Sequence, residues 1–296
     1  MATEADKGGR NRPNARARAA ELREQQRKRE ARRKFLGIGG VVTVVVVIVA
    51  VMVVIYATKS DKKVATSSPA PAAVVTVVTT IPAADLAKVD TSQVSALPKK
   101  VTGSPLTLDG KPGVLYLGAE YCPFCAAERW PLVVALSRFG TWSNLQQTVS
   151  GAAPEPYPQT PTFSFVDAKF SSSYLTFQAV ETETNQKQNG QYTALQTPTA
   201  AQVAIASKYG SGSIPNIDFG NKFIVEGASY NPSPLHGKSL DEIAKAVADP
   251  SSAVAKSVLG TANVITAAIC ETTGGKPASV CDLPDITKLR GTLNAQ

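Results

Sequence analysis

The chain has a single histidine, His236, and only four cysteines in 296 residues. His236 follows Pro232 and Pro234 in a stretch that reads as an exposed loop, and of the cysteines only Cys122 and Cys125 have the spacing of one arm of a zinc site. No metal is therefore expected. An Asn-x-Ser/Thr acceptor is also missing, because Asn231 is followed by Pro232, and this favours a bacterial envelope over a eukaryotic secretory route. The absence of an early cysteine excludes a lipoprotein anchor. Residues 1–34 contain no aromatic side chain, so their twelve Lys/Arg against five Asp/Glu do not read as a nucleic-acid surface. The basic excess ends there: residues 35–296 carry nineteen basic against eighteen acidic side chains.

Charge is lacking altogether from Phe35 to Ala57, a run dominated by Val41–Val54. A helix of that length spans roughly 34 Å, enough for a bilayer. Lys and Arg are denser before the run than after it, which places residues 1–34 in the cytoplasm and the C-terminal body outside. The run exceeds a signal-peptide core and comes after a long arm, so an uncleaved single-pass anchor in the cell membrane, with the lipid bilayer as its partner, is preferred over a cleaved signal. Residues 58–99 are rich in Ala, Ser, Thr, Val and Pro, with Pro69, Pro71 and Pro82 interrupting regular structure. They read as a flexible linker, within which Val74–Ile81 has the composition of a short strand, and a membrane-proximal β-segment that joins the outer domain is the alternative. Residues 100–296 are long enough for one outer domain with its own core.

All four cysteines fall in that outer domain, where disulfide chemistry is favoured. Three full pairings are possible, and the most local joins Cys122 to Cys125 and Cys270 to Cys281. The second pair would staple Glu271–Val280, a stretch loosened by Gly274, Gly275 and Pro277, and reads as a structural disulfide. The first pair sits between the apolar run Val114–Leu117 and a helix-like run from Ala126 to Phe139. A thiol at a helix N-terminus meets unpaired N–H groups and the positive end of the dipole, which favour the thiolate that exchange requires. A second cysteine one turn later can resolve a mixed disulfide.

Gly118-Ala119-Glu120-Tyr121-Cys122-Pro123-Phe124-Cys125 resembles the active-site segment of the thioredoxin superfamily, and Pro131 falls close to that family's helix-kinking proline. Ser213-Ile214-Pro215-Asn216-Ile217-Asp218-Phe219, with the run to Val225, resembles its cis-proline loop and following hairpin. The resemblance implies Cys122 as nucleophile, Cys125 as resolving thiol, and Pro215 with Ile214 as the backbone rest for an extended substrate. Tyr121 and Phe124 would form an apolar rim for that substrate. From Leu115 to Asn144 the chain is similar to an uncharacterised family of membrane-anchored thioredoxin-like proteins, recorded as a domain of unknown function. Two departures bear on mechanism. Tyr116 stands where thioredoxins bury an acid, and Phe124 stands where strongly oxidising relatives place histidine. Glu120 and Glu128 lie nearby and read as solvated surface carboxylates.

Elsewhere, Thr162–Val166 and Ser173–Val180 alternate as strands do, whereas Gly151–Pro161 and Glu183–Gln191 read as loops. Thr199–Gln202 and Ser239–Glu242 resemble capping boxes, and Ser251–Ile269 reads as a further helix. Trp130, Phe139, Phe219 and Phe223 are assigned to the core. The expected architecture is α/β: a thioredoxin-like sheet flanked by helices, carrying an insertion and preceded by one transmembrane helix. The expected activity is thiol–disulfide exchange on protein thiols or disulfides or on a membrane redox partner, with no dissociable cofactor. The alternative is a tethered binding module whose disulfides are only structural. A peroxide-reducing enzyme is a weaker third reading, because no threonine or arginine environment for peroxide is evident.

Overall fold

The computed structural model describes residues 67–296. The basic arm 1–34, the run 35–57 expected to span a membrane and residues 58–66 of the expected linker lie outside the described residues. Residues 67–296 build a mixed α/β domain. It opens with β1 (Ser68–Pro69) and helices α1 (Ala72–Thr79) and α2 (Ala83–Leu86), then β2 (Lys99–Lys100), β3 (Thr107–Leu108) and β4 (Lys111–Gly118). Helix α3 (Pro123–Ser137) leads into short strands β5 (Thr141–Ser143), β6 (Gln146–Val149), β7 (Pro161–Ser164) and β8 (Lys169–Ser171). Next come β9 (Thr176–Glu181), the hairpin β10 (Glu183–Gln188) and β11 (Gln191–Ala194), and helix α4 (Ala200–Tyr209). Strands β12 (Asn216–Phe219) and β13 (Phe223–Glu226) precede helices α5 (Leu240–Val247), α6 (Ala253–Thr272), α7 (Ala278–Cys281) and α8 (Pro284–Asn294).

The main sheet is organised around β4, whose Val114, Leu115 and Tyr116 are buried because both of its faces are covered. Strand β12 pairs with it antiparallel and β9 parallel, while β13 and β2 extend the sheet beyond β12. A parallel neighbour needs a crossover, and α3 with the short strands after it supplies one. Pairing sets the faces: Tyr116 is in register with Ala179 and Ile217, and Gly118 with Glu181, all toward α3. Gln178 and Asn216 point the other way and meet Gln202 and Ala206 of α4.

Both expected capping boxes form, at Thr199 with Gln202 and at Ser239 with Glu242. Helix α6 is long and apolar enough to cross a membrane, but it is buried among α3, α5 and α8 and serves as the core helix of this domain. At its centre Gly260 lets the N-terminal segment pass closely, since a Cβ there would stand 2.6 Å from the Asp90 carbonyl oxygen.

Two stretches differ from their sequence reading. Residues 67–99 are part of the domain and not a flexible linker: Val74, Val78, Leu86 and Val89 are buried, and α1 packs on α3 and α5. The prolines punctuate this segment without dissolving it, because Pro71 and Pro82 stand at the N-caps of α1 and α2, where a missing N–H is harmless. The strand expected at Val74–Ile81 is instead helix α1, which puts Val74 and Val78 on one face. The loop expected over Glu183–Gln191 is the β10–β11 hairpin, turned at Asn189 and Gly190 with φ of 53° and 82°. Those residue types tolerate the left-handed conformations that a two-residue hairpin turn requires.

Candidate active site

Strand β4 ends at Gly118, and the turn after it is fixed from three sides. Thr182 N donates to Gly118 O at 2.7 Å, Glu120 N to Glu183 O at 2.9 Å, and Gly151 N to Tyr121 O at 2.7 Å. The turn delivers Cys122 to the N-cap of α3, where its sulfur accepts a hydrogen bond from Cys125 N at 3.2 Å. Pro123 occupies the first helical position, where its fixed φ suits the helix and its absent N–H leaves nothing unpaired. The chain runs on through Pro131 to Ser137 without a break in the helix. Proline deprives the Ala127 carbonyl of its usual partner, and the Tyr230 hydroxyl donates to that oxygen at 2.8 Å.

Cys122 and Cys125 are free thiols. Cys122 is 5% exposed and Cys125 is fully buried. The Cys125 thiol hydrogen-bonded to it holds Cys122 below the usual thiol range despite its burial, with help from the Cys125 backbone N–H and the Arg129 guanidinium. Burial pushes Cys125 well up, and the neighbouring Cys122 sulfur adds to this. The two thiols are thus set apart in the sense an attacking and a resolving cysteine need.

The structure brings Ile214 and Pro215 to the same place. The Cys122 thiol donates a long hydrogen bond of 3.9 Å to Ile214 O, and the Ile214–Pro215 peptide bond is cis. Phe124 is 38% exposed beside Cys122, whereas Tyr121 is half-buried and lies flat on Tyr192 of β11, with ring centroids 4.0 Å apart. Of the two residues expected to form an apolar rim, Phe124 is exposed and Tyr121 is stacked on a ring from the unexpected hairpin. Cys270 and Cys281 are joined in a disulfide between α6 and α7, and both are buried. Trp130, Phe139, Phe219 and Phe223 are core residues, and His236 is exposed. Among the described residues no three His, Cys, Asp or Glu side chains stand where they could hold a metal ion together.

The carboxylates near the motif are not on the surface. Glu120 and Glu128 are both fully buried, because the turn and the first half of α3 are enclosed by β7, β9 and the segment 229–230. Glu120 accepts from Ser164 Oγ at 2.7 Å, and Glu128 accepts from Ser229 N and Oγ, each at 2.8 Å. Burial pushes Glu128 up to about 7, against those two hydrogen bonds. Sequence reasoning also missed a buried ion pair behind the cysteines. Arg129 Nε and Nη2 donate to the two oxygens of Glu181 at 2.9 and 2.6 Å, and Nη2 also reaches Ala119 O at 2.8 Å. Arg129 was visible beside Glu128 as one of two charges in a helix whose other residues from Pro123 to Leu136 are uncharged, one turn beyond Cys125. Nothing local joins it to Glu181, 52 residues away.

No curated protein and no solved structure matches the chain. Residues 98–271, more than half of the chain, match the model of a family described as a domain of unknown function (DUF929), and the chain belongs to that family.

Proposed function

We propose that this protein is a thioredoxin-like thiol–disulfide oxidoreductase, held at the cell membrane by residues 35–57 and acting outside it on exported proteins or on a redox partner. The thioredoxin-like reading is supported by the crossover from β4 through α3 to the parallel β9, with the β12–β13 hairpin on the other edge of β4 and Pro215 leading into it. The observation that carries the activity is the unequal thiol pair: Cys122 capping α3 with its thiol favoured toward the anion, Cys125 buried one turn behind, and Ile214 O beside the first sulfur.

In the reducing direction the Cys122 thiolate attacks one sulfur of a substrate disulfide. The substrate S–S bond breaks, its other sulfur leaves with the electron pair and takes a proton, and Cys122 is left in a mixed disulfide. Cys125 then attacks Cys122, releasing the second substrate thiolate and forming the Cys122–Cys125 bond. Two electrons have moved from the dithiol to the substrate, and the reverse sequence oxidises a dithiol partner. Extended substrate would lie against Ile214 and Pro215 with Phe124 and Tyr121 beside it.

The test is titration of Cys122 reactivity in the full-length reduced parent chain, where Cys125 is buried, with exchange assays of the parent and of Cys122→Ser. A Cys122 pKa below the free-thiol value and loss of exchange in Cys122→Ser are expected. Full exchange by Cys122→Ser would remove Cys122 as the nucleophile. A Cys122–Cys125 bond that resists glutathione would make the protein a tethered binding module instead.

A further inference from the structure

The Ile214 carbonyl stands beside Cys122, and the two ends of the loop that carries it are held in different ways. After Ile214 the sheet holds the chain: Gly227 N donates to Pro215 O at 2.8 Å, and Asn216 is in register with Leu117 on one side and Glu226 on the other. Before Ile214 the sheet offers no such grip. Helix α4 ends at Tyr209, and residues 210–213 make no backbone–backbone hydrogen bond among the described residues. Their sequence, Gly-Ser-Gly-Ser, has no apolar side chain to pack, Ser211, Gly212 and Ser213 are exposed, and two glycines make the segment costly to order.

One side chain supplies the missing tie. Glu226, at the end of β13, accepts from Ser211 N at 2.6 Å and from Ser211 Oγ at 3.1 Å, both on Oε1, and Ser211 Oγ shares a hydrogen bond of 2.7 Å with Ser213 Oγ. Hydrogen bonds to a carboxylate are roughly twice as strong as those between neutral groups. Gly210 allows the approach, since a Cβ there would stand only 2.7 Å from the Glu226 carboxylate carbon. Glu226 forms no ion pair with Lys or Arg among the described residues, so its carboxylate is left to the loop. The tie thus runs from a strand of the main sheet, across Ser211 and Ser213, to the residue whose carbonyl meets the Cys122 thiol.

We infer that Glu226 is the positioning residue for the substrate rest: through Ser211 it keeps residues 210–213 drawn onto β13, and so keeps Ile214 O and Pro215 beside the Cys122 sulfur. The inference rests on the exchange reading proposed for this site, and it names the substrate class that the rest serves, a disulfide in an extended polypeptide. Glu226 hydrogen-bonds to neither sulfur and acts only through the loop. A substrate whose main chain lies along Ile214 and Pro215 depends on that loop, because a rest that must be ordered on binding weakens the binding. A small disulfide that meets Cys122 alone does not.

The test uses the full-length reduced chain in detergent with two disulfides that release the same coloured aryl thiolate: a symmetric aryl disulfide, and a mixed disulfide of that aryl thiol with the cysteine of a short unstructured peptide. In each, Cys122 forms the new S–S bond with one sulfur, and the more acidic aryl thiol leaves as its thiolate with the electron pair. In Glu226→Ala the KM for the peptide disulfide is expected to rise about tenfold, the low end for a lost hydrogen bond to a charged group. Its kcat, the rate with the aryl disulfide and the pH at which Cys122 becomes reactive should stay at parental values. Glu226→Gln, which keeps an acceptor oxygen, should recover part of the loss, and Gly210→Ala, which pushes the loop off the carboxylate, should reproduce it with Glu226 in place. A parental KM for the peptide disulfide in Glu226→Ala would overturn the assignment and leave the exchange reading intact. An equal loss with both disulfides would also overturn it, since Glu226 would then serve the fold at large. No thiolate release from either disulfide by the parent chain would overturn both.

Discussion

Glu128 shows how much a single buried side chain can make a fold answer to pH. Its carboxylate receives two hydrogen bonds from Ser229, yet burial outweighs them and raises it from its ordinary 4.5 to about 7. The folded state therefore binds a proton more tightly than the unfolded state does. Its contribution to stability is full below about pH 4.5 and is lost as pH rises through about 7, a change on the order of 3 kcal/mol. Asp218, raised by burial to about 6, acts in the same direction. Denaturant midpoints measured between about pH 5 and about pH 8 are expected to fall with pH, and Glu128→Gln should flatten most of that slope. An unchanged slope in the variant would show that Glu128 does not set it.

Helix α3 gathers the candidate site onto one element, and its integrity depends on a residue far away in sequence. Pro131 cannot donate to the Ala127 carbonyl, and Tyr230 does so instead. Tyr230→Phe leaves that buried oxygen without a donor and is expected to destabilise the protein by about 1–3 kcal/mol, as read from urea unfolding. Loss of less than about 0.5 kcal/mol would mean that the helix re-satisfies that carbonyl by itself. The same helix marks what was legible beforehand. Cys122, Cys125, Pro123 and Pro131 announce a capped helix with an internal proline after a strand because each signal lies within one or two turns of the next. The β10–β11 hairpin was hidden by its polar strands, Thr184 to Gln188, although Asn189-Gly190 is a two-residue turn signal. Glu120 and Glu128 were misplaced on the surface because charge is usually a guide to exposure. Their burial depends on Ser164 and Ser229, which pairing and packing bring in from 44 and 101 residues away.

For the molecule as a whole, the boundary of the domain is set by packing and not by composition. Residues 67–99 look like a tether by their Ala, Thr and Pro content, but β1 pairs with β6, α1 lies on α3 and α5, and Asn263 Nδ2 of α6 donates to Leu86 O at 2.9 Å. Burying an aliphatic side chain contributes about 1.5–3 kcal/mol, so Val74, Val78, Leu86 and Val89 together contribute on the order of 6–12 kcal/mol. That is comparable with the whole stability of a typical domain, about 5–15 kcal/mol. Removal of residues 1–66 is therefore expected to leave a cooperative fold, whereas a chain starting at residue 100 should aggregate or unfold at ordinary temperature. It would also bare the faces of α3 and α6 that the segment covers, and with them the support of the cysteine helix. Circular dichroism and thermal unfolding of the two truncations decide the point. If the shorter chain melts cooperatively within a few degrees of the longer one, the N-terminal segment is an accessory layer, and the core that holds Cys122 and Cys125 in place is complete without it.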